Sequence, residues 1–258
     1  MEKTVGKKMQ NIIQKKITEI EQNEDVRILH CVESGSRAWG FASPNSDYDV
    51  RFIYVRPKEF YLRLDNTRDV IEYQLDEELD INGWDLQKAL KLLYTSNPTL
   101  FEWNNSNIVY KTTPEWKKIS GVIGHYFQSK KGLCHYLSMA KRNYHEYLKS
   151  ETVKLKKYFY VLRPILACKW ILDKNTPPPM EFSILMSEYL DDSIRGEVEK
   201  LLELKMGASE LKEKRRIDAI NQYIDSSIAE LDQKVSALPS QKVSNWEELN
   251  GIFLSMLD

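Results

Sequence analysis

Two aspartates are the residues of this sequence whose type and spacing most clearly point to chemistry. Asp47 and Asp49 lie two positions apart at the start of an apolar segment, Tyr48–Val55, so on a strand both side chains point to one face. Carboxylates this close repel each other unless a cation lies near them. Oxygen-only ligands suit Mg²⁺, which prefers one or two carboxylates together with waters and substrate phosphates. The spacing therefore predicts a divalent metal site at the beginning of this strand.

A small-residue turn precedes the aspartates. Gly35 and Ser36 follow the apolar run Val26–Val32, which predicts a strand, and a short helix is expected after them. Glycine lets the backbone approach a phosphate, and the Ser36 hydroxyl adds a hydrogen-bond donor. Arg37 could pair with the phosphate charge. These residues predict a phosphate-binding turn at the end of the first strand.

Asp80 is the best candidate for a third carboxylate. It alternates with Leu79 and Ile81, which we expect to face the core while Asp80 faces outward. A third carboxylate on a neighbouring strand would complete a two-metal site, which holds both the attacking and the leaving oxygen during in-line transfer. The weaker alternatives, nearer the predicted turn, are Asp76, Glu77 and Glu78.

The elements around these residues predict a mixed α/β unit. Isoleucines at helical spacing between Met9 and Ile20 indicate an amphipathic first helix. Two further strands are predicted over 69–75 and 78–83, and Asp85 is a good N-cap for a helix over Leu86–Tyr94. We therefore expect helices around a short mixed sheet.

The character of the chain changes after Tyr110. The run Thr113-Pro114-Glu115 is a strong helix start, and the pattern is helical almost to the end, with a rigid break at Pro177–Pro179. The predicted class is α+β: residues 1–115 form the mixed α/β domain and residues 116–258 form an all-helical domain.

The helical half offers a polar face. Lys156, Tyr160 and Arg163 are spaced i, i+4, i+7, which predicts that they share a side of the helix away from its apolar stripe. Lysine and arginine suit triphosphate oxygens, and tyrosine suits stacking or a hydrogen bond. An ordinary solvated face explains the same pattern, and both interpretations stay open.

Composition excludes several classes of protein. The net charge of −1 does not indicate a global polycation, although residues 130–170 hold ten Lys/Arg against two Glu. Three widely spaced cysteines indicate neither a zinc site nor a disulfide framework. The sequence has no signal-peptide core and no membrane-length apolar run, so we expect a cytoplasmic protein without membrane contact.

A few aromatic and histidine residues near the motifs have simpler explanations. His30 lies inside the first predicted strand and is expected to be structural. Trp39 and Trp84 flank the predicted site and could stack on a base. We expect them instead to pack in the core beside the glycine turns.

In combination, these motifs resemble the DNA polymerase β-like nucleotidyltransferase superfamily. The match is carried by Gly35-Ser36 followed by Asp47-Tyr48-Asp49. More narrowly, the chain resembles the bacterial and phage "RNA repair pathway DNA polymerase β" family. The segments that carry this narrower match are 33–40, 46–51, 80–86 and 97–103.

The resemblance implies a nucleotidyltransferase core, with a short mixed sheet and a helical second domain, that moves a nucleoside monophosphate from an NTP to an acceptor hydroxyl and releases pyrophosphate. It implies that Asp47 and Asp49 ligate two Mg²⁺ ions, with Mn²⁺ as a substitute. Asp80 would ligate the catalytic metal and help to deprotonate the acceptor. Gly35 and Ser36 would hold the β- and γ-phosphates.

The acceptor and the class of function stay open at this point. The resemblance favours an RNA end, and adenylylation of a protein or a small molecule is an alternative. A non-catalytic nucleotide-sensing module that keeps the fold is a second alternative. The sequence does not indicate whether the protein has a protein partner.

Overall fold

The computed structural model describes residues 2–76, 78–207, 213–239 and 245–257. The first half contains helices α1 (Glu2–Glu24), α2 (Gly35–Ala38), α3 (Lys58–Tyr61), α4 (Leu86–Tyr94), α5 (Pro98–Asn104) and α6 (Pro114–Val122), and strands β1 (Arg27–Glu33), β2 (Tyr48–Val55), β3 (Val70–Asp76), β4 (Leu79–Asp85) and β5 (Val109–Thr112). The second half contains helices α7 (Ser129–Tyr147), α8 (Lys157–Lys174), α9 (Phe182–Tyr189), α10 (Asp192–Gly207), α11 (Asp218–Ala237) and α12 (Glu247–Leu254), and strands β6 (Thr152–Lys154) and β7 (Glu213–Arg215).

The five strands of the first half form one mixed sheet in the order β3-β4-β2-β1-β5. Strands β2 and β4 run parallel, and the other neighbours run antiparallel. The predicted α+β class is therefore confirmed. One difference is the ribbon of β6 and β7 within the helical half; its three-residue strands are too short to produce a recognisable alternation.

The sheet is covered on both faces. Ile13, Ile17 and Ile20 of α1 pack on one face, against residues that include Phe52 and Ile81. Helices α4, α5 and α6 pack on the other face, in a separate cluster of buried side chains. Two covered faces explain why β1 reads as a nearly continuous apolar run.

Helix starts agree with the expected capping chemistry. The Asp85 carboxylate accepts a hydrogen bond from the Gln87 N–H at 2.7 Å, and the Thr113 hydroxyl accepts one from the Trp116 N–H at 3.4 Å. Both caps satisfy an N–H group that has no partner within its own helix. The predictions for these two helix starts are confirmed.

One hydrophobic cluster contains residues from both sides of position 115. Trp116, Ile119 and Ile123 pack with the sheet and α4, and Leu249 and Met256 return from the C-terminal segment to the same cluster. A third cluster is formed by the helices from α7 to α11. The amphipathic pattern predicts that α6 is a helix, but it does not specify which core the helix covers.

His30 is buried in the sheet. Its ring stacks on Trp116 with centroids 4.6 Å apart, and its Nε2 lies 3.3 Å from the Trp103 carbonyl oxygen. Burial lowers the pKa of His30 to about 4, although the Trp103 carbonyl acts in the opposite direction. The ring is therefore neutral in the folded protein at neutral pH, which fits the expected structural role.

This lowered pKa predicts a loss of stability in acid. The unfolded chain binds a proton on His30 near pH 6.5 and the folded protein only near pH 4, so the free energy of unfolding falls as pH drops between these values, by up to about 3 kcal/mol. Urea unfolding of the wild type and of His30→Phe at several pH values measures this pH-dependent part of the free energy of unfolding. The free energy of unfolding of the variant should fall less between pH 6.5 and pH 4 than that of the wild type. Parallel curves of this free energy against pH would contradict the lowered pKa of His30.

The described part of the chain contains no helix that is both long and apolar enough to span a bilayer.

Candidate active site

The parallel pairing of β2 with β4 brings the predicted carboxylates to one edge of the sheet. Asp49 and Asp80 are direct partners in the register of the two strands, so their side chains lie on the same face. Asp47 is exposed just before β2. As expected, Leu79 and Ile81 are buried and Asp80 is not. Of the weaker alternatives, Glu77 and the Asp76 side chain lie outside the described residues.

Gly35 lies directly against Asp49. Its φ is +58°, and a Cβ atom placed on it would lie 2.0 Å from Asp49 Oδ2. The Ser34 N–H also donates to the Asp49 carbonyl oxygen at 2.8 Å. Only glycine fits this position, because the backbone is left-handed and the carboxylate fills the space of a side chain. The turn and the aspartate strand are therefore one unit.

Arg37 holds the loop that leads to the aspartates. Its Nε donates to the Asp47 carbonyl oxygen at 3.1 Å, and its Nη2 donates to the Ser46 carbonyl oxygen. The guanidinium also stacks on the Tyr48 ring, 3.6 Å from its centroid. In this conformation Arg37 orders backbone that carries Asp47. Ser36, the other residue of the predicted phosphate turn, is buried beside it.

Glu33 supports Asp49 from behind. Its Oε1 accepts a hydrogen bond from the Asp49 N–H at 2.8 Å, and its Oε2 accepts one from the Tyr110 hydroxyl. The side chain is fully buried, and burial raises the pKa of Glu33 to about 7 although both hydrogen bonds act in the opposite direction. We did not predict this role from the sequence, where Glu33 marks only the end of a strand.

Arg51 joins two of the carboxylates. Its Nη2 lies 3.0 Å from Asp49 Oδ1 and 2.7 Å from Asp80 Oδ2. Burial raises the pKa of Asp49, Arg51 lowers it, and the charges of Asp47 and Asp80 raise it. The guanidinium thus compensates part of the repulsion among the carboxylates. We did not predict this role of Arg51 from the sequence. Its position two residues after Asp49 nevertheless places it on the same strand face.

The helical half contributes a second side of the site. Burial raises the pKa of Tyr160, and the Asp47 and Asp49 carboxylates raise it further, so the phenol lies within electrostatic reach of both. Its ring makes an edge contact with Trp39, 5.6 Å between centroids. Lys156 is exposed at the N-cap of α8. The structure therefore brings Tyr160 close to the aspartates.

Arg163 is buried, although the helical spacing predicts that it lies on a polar face with Lys156 and Tyr160. The residue is only 2% exposed, and its Nη1 donates to Glu102 Oε1 at 2.8 Å. Its Nε and Nη2 lie within 3.4 Å of the Met180 carbonyl oxygen, and the guanidinium stacks on Trp39. Arg163 therefore does not lie on an open polar face, because α5 and the segment before α9 cover this side of α8.

Trp39 and Trp84 are half-buried, and each packs against one of the hydrophobic clusters. Trp39 packs against the helical cluster, and the Phe182 N–H donates to its carbonyl oxygen at 2.9 Å. Trp84 lies 4.1 Å from Trp103 between ring centroids. The expectation of core packing is confirmed for both residues.

Lys205 is a cation at the site that local sequence gave no reason to select. Its Nζ lies 3.1 Å from the Ser43 hydroxyl and 3.2 Å from the Ser46 hydroxyl, 162 and 159 residues away in the chain. Burial lowers the pKa of Lys205, and Lys156 lowers it further, whereas Asp47 raises it. Two lysines of the helical half therefore lie within electrostatic reach of each other beside the loop that carries Asp47.

The carboxylates do not converge into a finished metal cage in this conformation. Within the described ranges, no group of three His, Cys, Asp or Glu side chains is placed to hold a metal ion. The donor chemistry nevertheless fits Mg²⁺, because Asp49 and Asp80 are adjacent oxygen donors whose charges already require a cation. Arg51 supplies that positive charge here.

Comparison with known protein families assigns the chain to one of them. Residues 9–255 match the model of the RNA repair pathway DNA polymerase beta family, and the chain belongs to that family. This membership indicates a polymerase β-like nucleotidyltransferase.

Two individual proteins illustrate the similarity. The chain is 45% identical over 244 residues to the uncharacterized protein YcgL of Bacillus subtilis (strain 168), which covers 93% of each chain. A nucleotidyltransferase-like protein from Exiguobacterium sibiricum 255-15 aligns in structure with 13% identity and a TM-score of 0.31, over 87% of this chain and 75% of that chain.

Proposed function

We propose that this protein is a Mg²⁺-dependent nucleotidyltransferase that moves a nucleoside monophosphate from an NTP to an acceptor hydroxyl. The observation that carries the proposal is the direct pairing of Asp49 with Asp80 in parallel strands, beside a Gly35 turn that lies against the Asp49 carboxylate. Family membership supports the same reaction class.

Asp47, Asp49 and Asp80 would hold the metal, with Mn²⁺ as a substitute. Bound there, the ion would supply Lewis-acid stabilisation of the charge that develops on the phosphate oxygens. The acceptor oxygen forms a bond to the α-phosphorus while the bond to pyrophosphate breaks. The Asp80 carboxylate, half exposed at this edge, accepts the proton of the acceptor hydroxyl.

The nucleotide is placed between the two halves of the protein. The backbone at Gly35 and Ser36 approaches the β- and γ-phosphates, and Arg37 orders the loop beside them. On α8, Tyr160 lies within electrostatic reach of Asp47 and Asp49, and Lys156 lies within electrostatic reach of Lys205. Lys205 adds a charge that local sequence did not indicate. Arg163 contacts the Trp39 ring, which in turn meets Tyr160 edge-on.

Lys205 should contribute directly to nucleotide affinity. Replacing it with methionine removes a charge-assisted contact, which is expected to weaken binding of the Mg²⁺-nucleotide by about tenfold or more. Lys200→Met, on an exposed face of the same helix, is the matched control and should bind as the wild type does. Calorimetric titration of both variants with the Mg²⁺-nucleotide measures the difference in affinity. Equal affinities of the two variants would show that Lys205 does not contribute to nucleotide binding.

We favour the 3′ or 5′ end of an RNA as the acceptor, in line with the name of the family. The second candidate is a protein or small-molecule hydroxyl, which a net charge of −1 would suit. Incubation with each α-³²P-labelled NTP, Mg²⁺ and total cellular RNA or protein tests this proposal. We expect the label in ribonuclease-sensitive material. Label found only in protein would identify a protein hydroxyl as the acceptor instead of RNA. Binding of ATP without transfer to any acceptor would favour a nucleotide sensor.

A further inference from the structure

Arg51 occupies an unusual position for a strand arginine. Its Nη2 lies between the carboxylates of Asp49 and Asp80, 3.0 Å and 2.7 Å from their oxygens. Its Nη1 donates to the carbonyl oxygens of Val50 and Asp80, both at 3.0 Å. The side chain is 18% exposed. Four contacts therefore hold the guanidinium between two residues that the proposed reaction needs as metal ligands.

The electrostatics explain why a cation lies there. Asp49 is partly buried, and the charges of Asp47 and Asp80 oppose its ionisation while Arg51 favours it. Charge-assisted hydrogen bonds from one guanidinium to two carboxylates are among the stronger polar contacts in proteins. A divalent ion that binds Asp49 Oδ1 and Asp80 Oδ2 must displace the Arg51 guanidinium from both oxygens.

We propose that Arg51 is the resident counter-cation of the Asp49–Asp80 pair and that it competes with the divalent metal for these carboxylates. The proposal rests on the metal site of the proposed function. Arg51 is in this sense a positioning residue: it holds the two carboxylates in alignment while it keeps metal affinity low. The nucleotide-free protein then binds the metal weakly.

Nucleotide binding would remove this competition. The Nη1 contacts are to backbone oxygens, so the guanidinium can release the carboxylates through Nη2 without leaving its place on the strand. The released N–H groups then need an acceptor, and an anionic phosphate oxygen of the nucleotide supplies one. Metal and nucleotide therefore strengthen the binding of each other, and this coupling is reciprocal.

Mn²⁺ binding to the nucleotide-free protein tests the proposal without any turnover. The free Mn²⁺ signal in electron paramagnetic resonance is titrated with wild type, Arg51→Gln and Arg51→Lys. We expect Arg51→Gln to bind Mn²⁺ about tenfold more tightly, because two charge-assisted hydrogen bonds no longer have to be broken. Arg51→Lys should be intermediate, since an ammonium is a point charge that lacks the planar fork. Arg63→Gln, at an exposed arginine that pairs with Asp65, is the matched control and should bind as the wild type does.

The outcomes separate this proposal from the proposed function. If Asp49→Asn abolishes Mn²⁺ binding while Arg51→Gln and Arg51→Lys both bind no more tightly than the wild type, the competition is overturned and the metal site stands. If Asp49→Asn leaves Mn²⁺ binding unchanged in every background, the metal site itself is wrong and the proposal falls with it. Circular dichroism identifies any variant that fails to fold. If one Arg51 variant fails, Mn²⁺ binding by the other decides whether Arg51 competes with the metal.

Discussion

Gly35→Ala is expected to reduce the rate of nucleotidyl transfer by about a hundredfold, because displacement of a reacting group by about 1 Å has effects of this size. The added methyl group would lie 2.0 Å from Asp49 Oδ2, so the carboxylate must move away from its position opposite Asp80. The measurement is the steady-state rate of label transfer from an NTP, together with urea unfolding.

Gly40→Ala is the matched control for this prediction. Gly40 also has a left-handed backbone, with φ +84°, but a Cβ there would meet nothing within 4 Å. Both variants should lose about 1 kcal/mol of stability from backbone strain, and only Gly35→Ala should lose activity. Equal activity in the two variants would show that the contact between Gly35 and Asp49 is unimportant.

Arg163→Met is expected to lower the free energy of unfolding by about 3–5 kcal/mol, the usual cost of leaving one partner of a buried ion pair alone. Glu102 would lose its ion-pair partner while still accepting a hydrogen bond from the Tyr136 hydroxyl at 2.7 Å. The Met180 carbonyl oxygen would lose its donors as well. Urea unfolding measures the change.

A second substitution distinguishes an unpaired charge from simple loss of packing. Arg163→Met combined with Glu102→Gln removes the uncompensated carboxylate and keeps an acceptor for Tyr136, so it should recover part of the lost stability. Arg63→Met, at an exposed pair with Asp65, should unfold as the wild type does. A double variant no more stable than Arg163→Met would contradict the role of the ion pair.

The faces of the strands on which the carboxylates lie can be predicted from the sequence because strand alternation is a local property. Asp47, Asp49 and Asp80 each follow a two-residue period beside apolar neighbours, and the parallel register of β2 with β4 brings two of them together. The same alternation places Arg51 on the Asp49 face. Its contact with Asp80, however, depends on a register that the sequence does not reveal.

The helical side of the site is harder to predict, since it depends on contacts between distant segments. A helical wheel places Arg163 with Lys156 and Tyr160, but it contains no information about Glu102, which lies 61 residues earlier and buries the guanidinium. Lys205 reaches the loop before β2 from α10, and nothing in its local pattern distinguishes it from a solvated lysine. The assignment of α6 and α12 to the core beside the sheet is a tertiary property of the same kind.

The most direct test of the account measures pyrophosphate release and α-³²P incorporation together, with Mg²⁺, in wild type, Asp47→Asn and Asp49→Asn. Asp69→Asn, an exposed aspartate paired with Lys88, serves as the control. The account predicts one pyrophosphate for each nucleotide transferred by wild type and Asp69→Asn, and loss of both signals in the other two variants. Full Mg²⁺-dependent transfer by Asp47→Asn and Asp49→Asn would contradict it.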